Sequence, residues 1–292
     1  MTYSFEELQK LFLQDRRYIL NCTERTMGLY DQIFLKWEKY AGGMPDQAKL
    51  TQFIVAERQA GLSPVTVNIH IRGFNAFLNW CAAGGYLPPM KMQKLKVEKK
   101  VMRVFTDAQL QTLLSFKPKD KYEYRIKAIL CTLIDTGMRI TECLSIELAN
   151  VNFDNLLITV MGKGQKQRVV PMSLELRKTL FHFVHRHRIT DTPCKYLFCT
   201  SNGWMMTYRN IYRDVEWVFK KVGLDKKDID GFFHSFRRKF ARSYIKSGGN
   251  LIYLQQAMGH TTLEMTREYI EIEDEELKDM HLRTSLLSRL RS

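Results

Sequence analysis

The sequence has no apolar run approaching the roughly 18 residues that a membrane span requires, and Ile126–Ile134 is a short segment suited to a buried element. Its N-terminus, "MTYSFEELQK", carries acidic residues and no extended apolar stretch, so no secretion signal is expected there. None of GxGxxG, GxSxG or HExxH occurs, and "MGKGQKQR" has a Gly-Lys pair without the surrounding GxxxxGK[ST] of a nucleotide P-loop. These gaps exclude the common signatures of dinucleotide, serine-hydrolase and zinc-peptidase sites. The six cysteines, at 22, 81, 131, 143, 194 and 199, show no CxxC spacing and read as reduced, mostly core thiols of an intracellular protein. There are no internal repeats and no low-complexity tracts.

Acidic side chains are in the minority. Against 31 Asp and Glu stand 45 Lys and Arg, a net charge of +14 over 292 residues with 45% hydrophobic content. A compact basic chain of this length fits about two domains and points to a polyanionic partner, most often nucleic acid. The turn signal "GGYLPP" at 84–89 leads into "KMQKLKVEKKVMR", with five Lys and one Arg against one Glu. The reading is a helical domain over 1–90, a basic linker over 91–103 and a second domain over 104–292. Both halves are basic, so both are candidates to touch the same polyanion.

The first half reads as wholly helical. Tyr30, Ile33, Phe34 and Trp37 keep helical spacing, and "SPVTVNIHIRGFNAFLNWC" opens with Ser63 as N-cap and Pro64 at the first helical position. Val67, Ile71, Phe74 and Leu78 form its apolar stripe, leaving Asn68, Arg72, Asn75 and Asn79 on another face. That face suits base-edge recognition, with Lys94, Lys96, Lys99 and Lys100 as further DNA-binding candidates; a plain solvated face explains it as well. In the second half, "FTDAQLQTLLSF" has Thr106 and Gln109 in capping-box spacing. Residues 151–172 read as short strands broken by turns at Asn152–Asn155 and Gly162–Gln165. From 207 onward the pattern is helical again. The fold class expected is mainly α, with an all-helical first domain and an α-rich second domain holding a small antiparallel sheet.

A dispersed set of phosphate-type residues falls beside punctuation marks in the second half. Arg139 follows a glycine and opens a helical stretch; Lys163 sits between two glycines at a hairpin tip; His234 and Arg237 are three apart; His260 follows a glycine; Tyr269 lies nine residues later. Thr261 and Glu264 fit a capping box that starts the intervening helix. Singly, each has a bland structural explanation, from a surface ion pair to a half-buried phenol. His182, His185, His187, Cys194 and Cys199 are all potential zinc ligands, but their spacing matches no standard module and no metal is expected.

In order and separation, "TGMRITECLSI", "GKGQKQRVVPM", "HSFRRKFA" and "MGHTTLEMTREYI" resemble the motifs of the tyrosine recombinase (phage integrase) family across about 103–272. The resemblance implies a fold of the DNA breaking-rejoining type with a core-site-binding first domain, and its compactness leans toward Xer-like or transposon-type enzymes. It implies Tyr269 as nucleophile, Arg139 and Arg237 as phosphate clamps, Lys163 as the hairpin lysine, His234 as the histidine of HxxR and His260 as the later His/Trp position. The activity implied is site-specific cleavage and rejoining of double-stranded DNA at inverted-repeat core sites, without cofactor, through a 3′-phosphotyrosyl link and a Holliday junction. A homotetramer assembled through the C-terminal segment 277–292, acting in the cytoplasm on the nucleoid, completes the expectation. A type IB topoisomerase and a non-catalytic DNA-binding module remain alternatives, with a zinc nuclease behind them.

Overall fold

Ser4 begins the first helix because its hydroxyl accepts the Glu7 N–H while the Glu7 carboxylate accepts the Ser4 N–H at 2.7 Å. The computed structural model describes residues 3–98, 102–162, 167–188, 193–259 and 262–267, with single positions at 278, 281, 282, 285 and 290. The chain divides into two compact units, residues 1–100 and 101–292.

The first unit contains α1 (Phe5–Gln14), α2 (Glu24–Tyr40), α3 (Gln47–Gln59) and α4 (Pro64–Ala83). Ser63 caps α4 and Pro64 occupies its first position, as the sequence predicts. Its core is aromatic: Phe5, Phe12, Phe34, Trp37, Phe53, Phe74 and Phe77 pack together, many edge to face. Trp37 is wholly buried, and its indole N–H donates to the Gly43 carbonyl at 2.9 Å. Glu57, also fully buried, lies 2.7 Å from His70 Nδ1 and 3.2 Å from Lys36 Nζ, so α2, α3 and α4 share one carboxylate.

Two expectations for this unit need correction. The stretch read as a polar, basic domain linker from 91 is packed on α4 at its beginning, where Met92 is buried. The Asn75 amide donates to the Met92 carbonyl and accepts the Met92 N–H, at 2.9 and 2.8 Å. Asn68 makes the same pair of bonds to Leu95. Two asparagines seven residues apart thus match an extended backbone, so Asn68 and Asn75 do not offer their amides to base edges. Arg72, Lys94 and Lys96 stay exposed, and Lys99 and Lys100 lie outside the described residues.

The second unit begins with α5 (Asp107–Leu114), whose Thr106–Gln109 capping box forms as predicted. Its central helix α6 (Lys121–Thr136) buries Ile126, Ala128, Ile129, Leu130 and Leu133, and terminates at Gly137 in a left-handed cap with φ 59°. The short α7 (Ile140–Leu144) follows. Strands β1 (Val151–Asn152), β2 (Leu157–Met161) and β3 (Gln167–Pro171) make one antiparallel sheet in that order, with Val160 opposite Arg168. Ile158, Val160 and Val170 turn inward from the strands, while Leu157, Met161 and Val169 stay exposed. Helices α8 (Leu174–His182), α9 (Tyr208–Lys221), α10 (Phe232–Lys246), α11 (Leu251–Met258) and α12 (Leu263–Arg267) complete the described elements. The result is the mainly α fold with a small antiparallel sheet that the sequence pattern predicts. None of the helices described is long and apolar enough to cross a membrane.

Candidate active site

Arg139 stands immediately before α7, at the exit of the tight turn that Gly137 makes possible. Its backbone N–H donates to Glu142 Oε2 at 2.8 Å and its guanidinium to Glu142 Oε1 at 2.9 Å. Glu142 is 5% exposed, and both its oxygens also accept from Arg168 on β3, at 3.0 and 2.8 Å. Burial opposes ionisation of this carboxyl, but the Arg168 and Arg139 hydrogen bonds outweigh it and hold its pKa below the usual carboxylate range. The third edge of Arg168 reaches α11, where its Nε donates to the Ala257 carbonyl at 3.0 Å.

His234 and Arg237 occupy the first two turns of α10. The inward residues of this helix fix it: Phe236 packs on Phe105 with ring centres 4.3 Å apart, and the Ser235 hydroxyl accepts the Phe105 N–H. His234 therefore faces solvent while Arg237, 1% exposed, lies at the base of the site. The Arg237 guanidinium donates to the Gly137 carbonyl at 2.8 Å and to the Met258 carbonyl, bracing the end of α6 against the end of α11. The His234 pKa is held below the ordinary imidazole value by partial desolvation and by the cations of Arg238, Arg237 and Arg139. A neutral imidazole beside three guanidinium groups can accept a proton, while its surroundings attract an anion.

Of the six predicted site residues, Arg139, His234 and Arg237 are therefore gathered around one position. Lys163, His260 and Tyr269 lie outside the described residues, as does the capping residue Thr261. Their anchored neighbours are described. Lys163 falls in the sequence between β2 and β3, and His260 follows Gly259, before which the carbonyls of Ala257 and Met258 are held by Arg168 and Arg237. Sequence reasoning missed Glu142 and Arg168. The signal for Glu142 was a carboxylate three residues after an arginine at a helix start; for Arg168 it was a charge opposite the inward-facing Val160.

The zinc candidates do not converge. His182 and His187 face each other with Nε2 atoms 3.1 Å apart, and His187 stacks on Tyr124. His185 packs against Phe181 instead. Among the described residues no three His, Cys, Asp or Glu side chains are placed to hold a metal.

A family model described as the phage integrase family matches residues 103–276, which contain all of these groups. The chain belongs to the phage integrase family. This recombinase is 25% identical over 272 residues to tyrosine recombinase XerA of Pyrococcus furiosus, covering 92% of this chain and 91% of that protein. It is 27% identical over 234 residues to tyrosine recombinase XerC of Corynebacterium glutamicum, covering 78% of this chain and 74% of that one. The fold matches the Tn1549 transposon integrase solved with a circular intermediate DNA at a TM-score of 0.77 and 19% identity, over 95% of this chain and 99% of that one. It matches XerH bound to a palindromic difH substrate at 0.71 and 20% identity, over 94% and 83%. Membership makes the recombinase a DNA-binding enzyme that cleaves and rejoins DNA strands.

Proposed function

We propose that the recombinase cuts one strand at each of two inverted-repeat core sites by attack of the Tyr269 hydroxyl on the scissile phosphorus. The new bond is a 3′-phosphotyrosyl ester, and the bond broken is that to the 5′-oxygen. The phenol proton passes to His234, whose neutral state suits it to accept one, and Lys163 protonates the departing 5′-oxygen. Arg139 and Arg237 hold the non-bridging oxygens, with His260 donating one further hydrogen bond. In this reading a phosphate oxygen replaces the Met258 carbonyl on Arg237. The phosphotyrosyl ester conserves the energy of the broken linkage, so attack by the 5′-hydroxyl of a partner strand rejoins the DNA through a Holliday junction without ATP.

The observation that carries this reading is the convergence of Arg139 and Arg237 on a solvent-facing, neutral His234. The first unit, through Arg72 and the lysines after α4, would grip the core site. The segment 277–292 has apolar anchors at Leu277, Met280, Leu286, Leu287 and Leu290 and would dock on a neighbouring protomer to build a tetramer, in the cytoplasm on the nucleoid. The test is a nicked suicide substrate: the wild-type chain traps a covalent adduct, and Tyr269→Phe binds the site but traps none. An adduct formed by Tyr269→Phe overturns the assignment of the nucleophile.

A further inference from the structure

We infer that Arg168 is a positioning residue, which keeps the charge of Arg139 available to the scissile phosphate and seats the segment entering His260. The inference rests on the phosphate-clamp reading of Arg139 and extends it to a group that no part of that chemistry requires to touch DNA.

The first observation concerns charge. The Glu142 carboxylate is buried, and its two oxygens take four donors: the Arg139 N–H, one Arg139 guanidinium N–H and two from the Arg168 fork. The Arg139–Glu142–Arg168 triad carries net +1. Without Arg168 the remaining pair is neutral, and the full attraction of a poorly solvated carboxylate falls on Arg139 alone. Arg139 would then be held by Glu142 in competition with the phosphate. With Arg168 in place the carboxylate is already matched, so it orients Arg139 without cancelling its charge.

The second observation concerns connectivity. Arg168 is on β3, five residues beyond Lys163, and its side chain is 12% exposed. One guanidinium therefore ties the hairpin strand to α7 through Glu142 and to the end of α11 through the Ala257 carbonyl. The fit there is close: a Cβ on Gly259, whose φ is +63°, would lie 3.0 Å from both the Cδ and an Nη of Arg168. Gly259, the residue before His260, therefore closes α11 directly against the Arg168 side chain. A lysine cannot reproduce this arrangement, because a single ammonium lacks the planar fork and the separate Nε donor.

The experiment measures covalent-adduct formation on the nicked suicide substrate at saturating protein, with site affinity measured in parallel. Arg168→Ala lowers the adduct rate by about 100-fold, the scale expected when a reacting group is displaced by about 1 Å, while affinity changes by less than about 3-fold. Arg168→Lys retains the charge and the fold yet regains less than about 10-fold of the lost rate, because the fork is absent. The deciding comparison is the double variant: in an Arg139→Ala background, Arg168→Ala costs about 10-fold or less in place of about 100-fold, since the share acting through Arg139 is already lost and only the seating of the end of α11 remains. A separate structural role would multiply the two losses. Adduct rates for Arg168→Ala and Arg168→Lys near wild type, or full multiplicativity with Arg139→Ala, overturn the inference. Absence of an adduct from the wild-type chain would count against the proposed function instead.

Discussion

Gly137→Ala tests how the turn before Arg139 is held. Gly137 has φ +59°, and an added Cβ would lie 2.3 Å from Phe240 Cδ1, 2.6 Å from its Cγ and 3.0 Å from its Cβ. Placing alanine in the left-handed region costs about 1 kcal/mol. Because the Phe240 Cβ is itself within reach, rotating the ring relieves only part of the overlap, and overpacking adds about 1–3 kcal/mol. The expected loss is therefore about 2–4 kcal/mol in the second unit, or roughly 5–15 °C in melting temperature. Gly248→Ala is the control for the backbone term, since its φ is +82° and nothing lies within 4 Å of the added Cβ; it costs about 1 kcal/mol. Gly28→Ala, inside α2 with open space around it, stabilises the first unit by about 0.5–1 kcal/mol. Urea unfolding read by hydrogen exchange at α6, α10 and α2 separates the units. If Gly137→Ala costs no more than Gly248→Ala, Phe240 does not define this turn and the packing argument fails. Since the Gly137 carbonyl accepts from Arg237, the variant should also slow adduct formation at temperatures where it remains folded.

Two further predictions address the proton acceptor and the corrected asparagines. The His234 pKa lies below the ordinary imidazole value, so the neutral form persists to lower pH and the acid limb of the adduct rate falls below where a free imidazole would place it. Arg238→Gln removes a neighbouring cation and moves that acid limb upward; a limb that does not move excludes His234 as the titrating group. Asn75→Ala deletes both bonds to Met92 and costs the first unit about 1–3 kcal/mol in urea unfolding with base preference unchanged. A changed base preference at unchanged stability would restore Asn75 as a reader of DNA.

What the sequence determined was everything that depends on local spacing and chemical type. The Ser63–Pro64 and Thr106–Gln109 starts of α4 and α5, the apolar stripe of α4 and the short strands after Val151 follow from period, capping and turn chemistry within a few residues. The order of the four motifs gave the family and the candidate residues, because each marks a place where backbone geometry and chemistry coincide. Tertiary structure decided how those residues are partnered. Asn68 and Asn75 looked like an open polar face because an extended segment returning to α4 carries no periodic signal of its own. Glu142 and Arg168 are 26 residues apart, and neither declares its partner; only the docking of β3 beside α7 gives one carboxylate two arginines. The same docking decides that Arg139 approaches the site with its charge uncancelled, while Arg237 is held at its base by the carbonyls of Gly137 and Met258. Helical period and capping are local free energies, legible along the chain; charge balance and burial are sums over neighbours that only the folded chain brings together.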